Sequence, residues 1–379
     1  MKHVSLTPAV FHLPEAVNAV APRYAENPIV PRGPKLAPLL ERLRDKIGVA
    51  LGCAETHASV LLTCSGSGGI AAALGSCVPD AGILVVSNGA YGERQAHFAR
   101  QLGLKIVHHQ LPYGERPDAE AIELVAVRYG VGAIGMVHGA TSTCSLNPIK
   151  EVGGVARRHG LPFIVDAISS VFVEPIDLST VDVLIASTNK ALHSNPDIAF
   201  VSVRRSLLEL IARRPGRLPY LDLGEAWTKQ RDGSHPYTIN VRALLELEAA
   251  LDVHAAEGGV EGRHATYRAR TELLRAGYER LGLERFEKPG MPPQSIGTAL
   301  YLPEGIAYAP LAERLAAWGG EECYEIYAAQ GKLSDTVFRI FNMGAYELAT
   351  YESVACYQQA PSSLLRRDSA SFAQLGPVS

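Results

Sequence analysis

The sequence predicts an α/β protein with a mostly parallel sheet in a large domain, followed by a smaller α+β domain. Three observations carry this expectation. From about residue 40, short apolar runs alternate with helix-spaced segments, as expected of strands covered by helices on both faces. Ser65, Asn88, His138, Asp166 and Lys190 fall at or just past the ends of those runs, where ligands bind in such sheets. After Arg263 the texture changes, with a Pro/Gly-rich turn at Lys288–Pro293 between helical and strand-like segments.

Taken in order, Pro38–Leu51 carries Leu39, Leu40, Leu43, Ile47 and Leu51 at helical spacing. Val60–Thr63 is a short apolar run that ends in Cys64-Ser65-Gly66-Ser67-Gly68-Gly69, and an Ala-rich helix follows. Ile83–Ser87, Lys105–Val107, Ile134–Val137, Pro162–Val165 and Val183–Ala186 continue the series of strands. A long helix over Val241–Glu257 leads out of this domain. Then come a helix over Tyr267–Leu281, a strand over Ile296–Leu302, a helix near Leu311–Trp318 and a strand over Val337–Ile340. We expect residues 15–258 to form the large domain, residues 1–14 and 259–360 the small one, and residues 361–379 a mobile polar tail.

Composition limits the classes of function. A chain of 379 residues suits two domains. Its 47% hydrophobic and 20% charged residues are those of a globular protein. A net charge of −3 offers no basic surface for nucleic acid or an anionic membrane. Cys53, Cys64, Cys77, Cys144, Cys323 and Cys356 form no CxxC pair and no His-linked metal spacing. No metal is expected, and the thiols are read as reduced in a cytoplasmic protein. The first residues carry no signal-peptide pattern, and no apolar stretch is long enough to span a membrane.

The residues at the strand ends suggest a cofactor site. Lys190 follows an apolar strand, so its amine faces a cleft, where partial burial favours the neutral form that Schiff-base chemistry needs. A solvated loop lysine is the alternative. Asp166 ends another apolar run, and a carboxylate there needs a cation or several donors. The protonated pyridine nitrogen of pyridoxal phosphate (PLP) is one such cation; an N-cap role is the alternative. Ser65-Gly66-Ser67 at a helix start can cradle a phosphate. Tyr91 can stack on a flat ring or simply pack in the core. Arg339, inside Val337-Phe338-Arg339-Ile340-Phe341, demands an anion. A substrate carboxylate or phosphonate and a structural carboxylate both remain open.

These residues and the stretches around them resemble class V aminotransferases of PLP fold type I, most closely their 2-aminoethylphosphonate–pyruvate transaminase branch. The stretches are VLLTCSGSGGIAAALGS, VVSNGAYGER, MVHGATSTCSLNPIKEVGGVARRHG, PFIVDAISS, VDVLIASTNKA and VFRIFNMG, within a similarity from about Leu6 to Ala360. The resemblance implies a seven-stranded sheet, a PLP cofactor and a homodimer with shared active sites. It implies that Lys190 bonds the cofactor and that Asp166 meets the ring nitrogen. Ser65, Gly66, Ser67 and Ser187 lie at or near the phosphate, Tyr91 stacks on the ring, and Thr141 or Ser142 lies near the phenolic oxygen. Arg339 binds the carboxylate of the amino-acid partner. The reaction implied is amino transfer between a small amino donor and an α-keto acid.

The departures fall on the substrate side. The family's Gly-Pro after Leu-Thr-Pro is Ala9-Val10 here, its acidic residue before the Thr/Ser triplet is Ala140, and the Gly after the triplet is Cys144. The neutral Gly-rich loop after the lysine is Ala191-Leu192-His193-Ser194-Asn195-Pro196-Asp197, which adds His193 as a candidate substrate-facing acid or base. A Ser-Pro-Thr segment that reaches the partner's phosphate is Ile239-Asn240-Val241, with Asn240 as the candidate contact. A PLP-dependent lyase, a β/γ-replacement or a carbon–carbon bond-forming enzyme therefore stays open beside the transaminase. A non-catalytic scaffold fits poorly with Lys190 and Asp166 together.

Overall fold

The computed structural model describes residues 2–8, 11–317 and 322–357. The expected tail, residues 361–379, and the Trp318 end of one expected helix lie outside the described residues. The strands in chain order are β1 (Lys2–Ser5), β2 (His57–Thr63), β3 (Ile83–Ser87), β4 (Ile106–Gln110) and β5 (Ile134–Val137). β6 (Gly139–Ala140), β7 (Ser145–Leu146), β8 (Phe163–Asp166), β9 (Val183–Ser187) and β10 (Ile198–Arg204) follow. The last are β11 (Gly297–Tyr301), β12 (Glu322–Glu325), β13 (Tyr327–Ala328) and β14 (Val337–Phe341).

A seven-stranded sheet of order β2-β10-β9-β8-β5-β3-β4 forms the centre. Its pairs are parallel from β4 to β9, and β10 runs antiparallel to both β9 and β2. Every residue of β3, β5, β8 and β9 is buried. Successive side chains divide between two cores, as the two-residue period of a strand requires. Leu84, Val86, Phe163, Val165, Leu184 and Ala186 join one cluster. Ile83, Val85, Ile164, Val183 and Ile185 join the other. Continuous apolar runs were therefore the right signature for these strands.

The second region holds a three-stranded antiparallel sheet of order β11-β14-β13. The chain's first strand also belongs here, because β1 pairs in parallel with β12. The helix expected from Tyr267 begins earlier and spans Gly259–Arg280. Its first turns carry Glu261, Arg263 and His264 instead of an apolar stripe, which hid them from the periodicity. The helix over Val241–Ala256 agrees with expectation. Among the described residues no helix is long and apolar enough to cross a membrane.

Candidate active site

A cavity of about 170 Å³ opens beyond the carboxyl ends of β5, β8 and β9. Ser65, Gly66, Ser67, Tyr91, Thr141, Asp166 and Lys190 all line it. These positions are scattered from residue 65 to residue 190, and parallel strand ends bring them to one edge.

One wall is the start of the helix Gly66–Cys77. Ser65 is its N-cap in extended conformation, and the Ser65 side chain makes no capping bond. The Ser65 carbonyl accepts the Gly68 and Gly69 N–H groups, at 2.8 and 3.3 Å. The N–H groups of Gly66 and Ser67 precede the helical ladder and carry its positive end, which suits an anion. A Cβ on Gly66 would stand 2.7 Å from Ile168 Cδ1 and 3.2 Å from Ser187 Cβ. Glycine thus lets the backbone reach the cavity wall.

Asp166 ends β8 and is only 3% exposed. Its Oδ1 accepts the Ile168 N–H at 3.0 Å. Burial pushes the carboxyl up to about 6, and the Ile168 bond and the charges of Arg94 and Lys190 oppose this. Among the described residues no basic side chain forms an ion pair with it. Its negative form therefore lacks a close cation, and it faces the cavity.

Lys190 lies in the turn after β9, half-buried, and its Nζ donates to the Pro8 carbonyl at 2.5 Å. Burial lowers its ammonium to about 8, helped by the charges of Arg339 and Arg94 and opposed by Asp166. A useful fraction of neutral amine is present near physiological pH. Tyr91 sits in the first turn of the helix Ala90–Gln101, with the Arg94 guanidinium 4.9 Å from its ring centre. Both line the cavity. Arg94 was missed in the sequence, although its spacing from Tyr91 places the two on one helical face.

Five expected contacts lie outside the lining. Ser142 is buried, and its Oγ accepts the Ala90 N–H at 3.3 Å. Ser187 is buried behind Gly66, and its hydroxyl donates to Asn189 Oδ1 at 2.8 Å. Asn240 caps the helix Val241–Ala256 by accepting the Ala243 N–H at 3.2 Å. Arg339 is 0% exposed in β14. Its Nε and Nη2 donate to the Ala328 carbonyl at 3.2 and 2.7 Å, and Nη1 donates to the Thr141 carbonyl at 3.0 Å. Thr141 itself lines the cavity, so Arg339 stands one residue behind the wall. Among the described residues its guanidinium meets carbonyls and no carboxylate.

His193, expected to face substrate, is instead buried away from the cavity. Its Nε2 accepts the Gly344 N–H and lies within hydrogen-bond reach of the Tyr267 hydroxyl. The reason is its backbone: φ of 61° reverses the chain and turns the ring from the lysine side toward the small sheet. Asp197 of the same loop lies 3.7 Å from Arg242, on the outer side.

Residues 28–323 match the family model described as aminotransferase class V. The chain belongs to the class-V aminotransferase family. It is 37% identical over 316 residues to proteins of Salmonella paratyphi A and Salmonella agona named 2-aminoethylphosphonate–pyruvate transaminase, covering 81% of this chain and 84% of theirs. Among solved structures, a Thermus thermophilus aspartate aminotransferase of subgroup IV superposes with a TM-score of 0.84 at 25% identity, covering 96% of this chain and 100% of that one. An alanine–glyoxylate aminotransferase from Nostoc superposes at 0.87 with 20% identity, covering 97% and 96%. This class-V aminotransferase is a PLP-dependent transferase with the fold type I architecture. Its residues fit that cofactor: a helix start on the cavity wall, with the Gly66 and Ser67 N–H groups ahead of the helical ladder, suits the phosphate, and a buried carboxyl without a close cation suits a protonated ring nitrogen.

Proposed function

We propose that this aminotransferase moves an amino group from a small donor bearing an anionic group to an α-keto acid, using Lys190, Asp166 and Arg339. The meeting of Lys190, Asp166 and the Ser65–Ser67 helix start in one cavity carries this reading. When bound, PLP withdraws electrons from the donor Cα and carries the amino group between the half-reactions. The N–H groups of Gly66 and Ser67 and the hydroxyls of Ser65 and Ser67 would hold the cofactor phosphate. Tyr91 would cover one face of the ring. The Asp166 carboxylate would keep the proton on the ring nitrogen, and that pairing would favour the ionised carboxylate.

Lys190 Nζ would hold the cofactor covalently. When free, its neutral Nζ would take the proton from the donor Cα and return it on the other side of the transfer. The lowered ammonium of Lys190 matches that task. Arg339 would supply positive charge for a substrate anion from behind Thr141, whose carbonyl it holds and which lines the cavity. Ser142 and Ser187 support the wall from behind. Asn240 belongs to the surface toward a partner subunit in a cytoplasmic homodimer. We further divide the chain into a large domain over residues 15–258 and a small domain built from residues 1–14 and 259–360.

The relatives' names make 2-aminoethylphosphonate and pyruvate the first pair to assay. In the experiment, the cofactor's visible absorption is followed while amino donors are added one at a time, and then an α-keto acid. A donor should convert the cofactor to its amino form and the keto acid should reverse this. Borohydride should fix the cofactor to the Lys190 peptide, and Lys190→Ala should abolish the linkage. A reducible adduct on that variant would refute the assignment.

A further inference from the structure

His193 is a buried polar residue of the post-lysine loop that neither the cavity nor the reaction above uses. Its backbone N–H donates to the Lys190 carbonyl at 2.9 Å, closing the turn that carries the lysine. Its Nε2 accepts the Gly344 N–H at 3.2 Å, and the Tyr267 hydroxyl lies within hydrogen-bond reach of the same atom. Gly344 lies just beyond β14, the strand that carries Arg339. A single residue thus joins the turn of Lys190 to the segment that follows the strand of Arg339.

The surroundings make this join specific. A backbone N–H can only donate, so Nε2 must be an acceptor and the ring must be neutral. Arg263, Arg270 and His254 add positive charge around it, and burial and those charges hold the imidazolium well below its usual range. Phe11 packs edge-on, with ring centres 5.3 Å apart. The neighbouring contacts run the same way. Arg263 donates to the Ala191 carbonyl, next to Lys190. Arg270 donates to the carbonyls of Asn342 and Gly344 at 3.0 and 3.1 Å and to that of Tyr346 at 2.5 Å. The φ of 61° is a conformation that a non-glycine residue adopts at a cost, so the imidazole stands where glycine would be easier.

We propose that His193 is a positioning residue that sets the distance between Lys190 Nζ and the Arg339 guanidinium through its bonds to Lys190 and Gly344. The proposal rests on the roles given above to Lys190 and Arg339. It makes the His193 side chain matter to proton transfer at the donor Cα, although it touches neither substrate nor cofactor.

His193→Gly, His193→Ala and His193→Gln of the holoenzyme test this. Glycine suits the left-handed backbone but removes the acceptor, so loss of function in it cannot be ascribed to backbone strain. Glutamine keeps an acceptor for the Gly344 N–H. We expect His193→Gly and His193→Ala to lower kcat about tenfold or more, since small misplacements of reacting groups are costly. The KM of an anionic donor should rise, and the pH midpoint of the cofactor's visible absorption should shift. Apoprotein titrated with PLP should show weaker uptake. His193→Gln should recover most of each loss. The proposal fails if the glycine and alanine variants keep kcat, spectral midpoint and PLP uptake within about twofold of the parent and lose only melting temperature. Borohydride labelling of the parent separates the two levels. A label on a lysine other than Lys190 overturns the underlying reading, and with it the positioning role. A label on Lys190 with unaffected variants overturns the positioning role alone.

Discussion

Replacing Asp166 by Asn should stabilise the apoprotein at neutral pH while weakening its hold on PLP. Burial raises the Asp166 carboxyl from 3.8 to about 6. At about 1.4 kcal/mol per pKa unit, the ionised carboxylate costs the folded apoprotein about 3 kcal/mol. The sign follows from the direction of the shift. The folded form holds the proton more tightly, so its contribution is complete below about pH 4 and is lost as pH rises through about 6. Asparagine keeps an oxygen for the Ile168 N–H and carries no charge to bury. The attraction of Lys190 is already contained in that shift, so about 3 kcal/mol should remain at pH 7. Urea denaturation of both apoproteins, read at intervals from about pH 4 to pH 8, measures the difference. The advantage of Asp166→Asn should grow with pH and level off above about 7. A pH-independent difference, or a less stable variant at pH 7, would refute the claim that Asp166 is a buried carboxyl waiting for a cation. The holoenzyme should show the reverse order, because the variant cannot pair with the ring nitrogen.

Three further outcomes are expected. Arg339→Ala should lower kcat/KM for an anionic donor by about 2–5 kcal/mol of transition-state binding with the cofactor retained, and Arg339→Lys should recover part, since an ammonium lacks the planar fork; a loss of melting temperature with normal kinetics would make Arg339 structural. Covalent attachment of PLP to apoprotein should quicken as pH rises through about 8, where the Lys190 amine loses its proton; stopped-flow absorbance that shows no rise there would contradict the lowered ammonium. Gly66→Val would bring a side chain against Ile168 and Ser187, so it should weaken PLP uptake far more than it lowers stability of the apoprotein, as read by titration and melting.

Much of this site could be read in the chain because parallel strands deliver their end residues to one edge. Asp166 and Lys190 each follow a continuous apolar run, and both line the cavity. β10 went unread although Ile198–Val203 is a comparable apolar run. It follows β9 through a loop that holds no helix and runs antiparallel, so it breaks the alternation of strands with helices. Arg339 was legible as a charge that needs partners, but the Ala328 and Thr141 carbonyls that hold it come from other segments. His193 was misread because closeness to Lys190 in sequence says nothing about direction when φ is positive. Ser142, Ser187 and Asn240 were placed by their neighbours in the chain, whereas burial and local hydrogen bonds decide where each side chain goes.

The pairing of β1 with β12 sets a schedule for assembly. Lys2–Ser5 find their partners at Glu322–Glu325, almost the full length of the chain away. The Pro8 carbonyl that receives Lys190 hangs from that first strand. At the other edge, β2 meets only β10 in the central sheet, and it leads into the Ser65–Gly66 helix start. Contacts between distant segments close large loops and form late in folding. A chain emerging from the ribosome must therefore hold its N-terminal strand unpaired until the last third has been made. Fragments ending before residue 198 should lack the phosphate cradle, and fragments ending before residue 322 should leave Lys190 without its Pro8 contact. The reactive amine is completed only when the whole fold is, so no partly made chain presents a finished site.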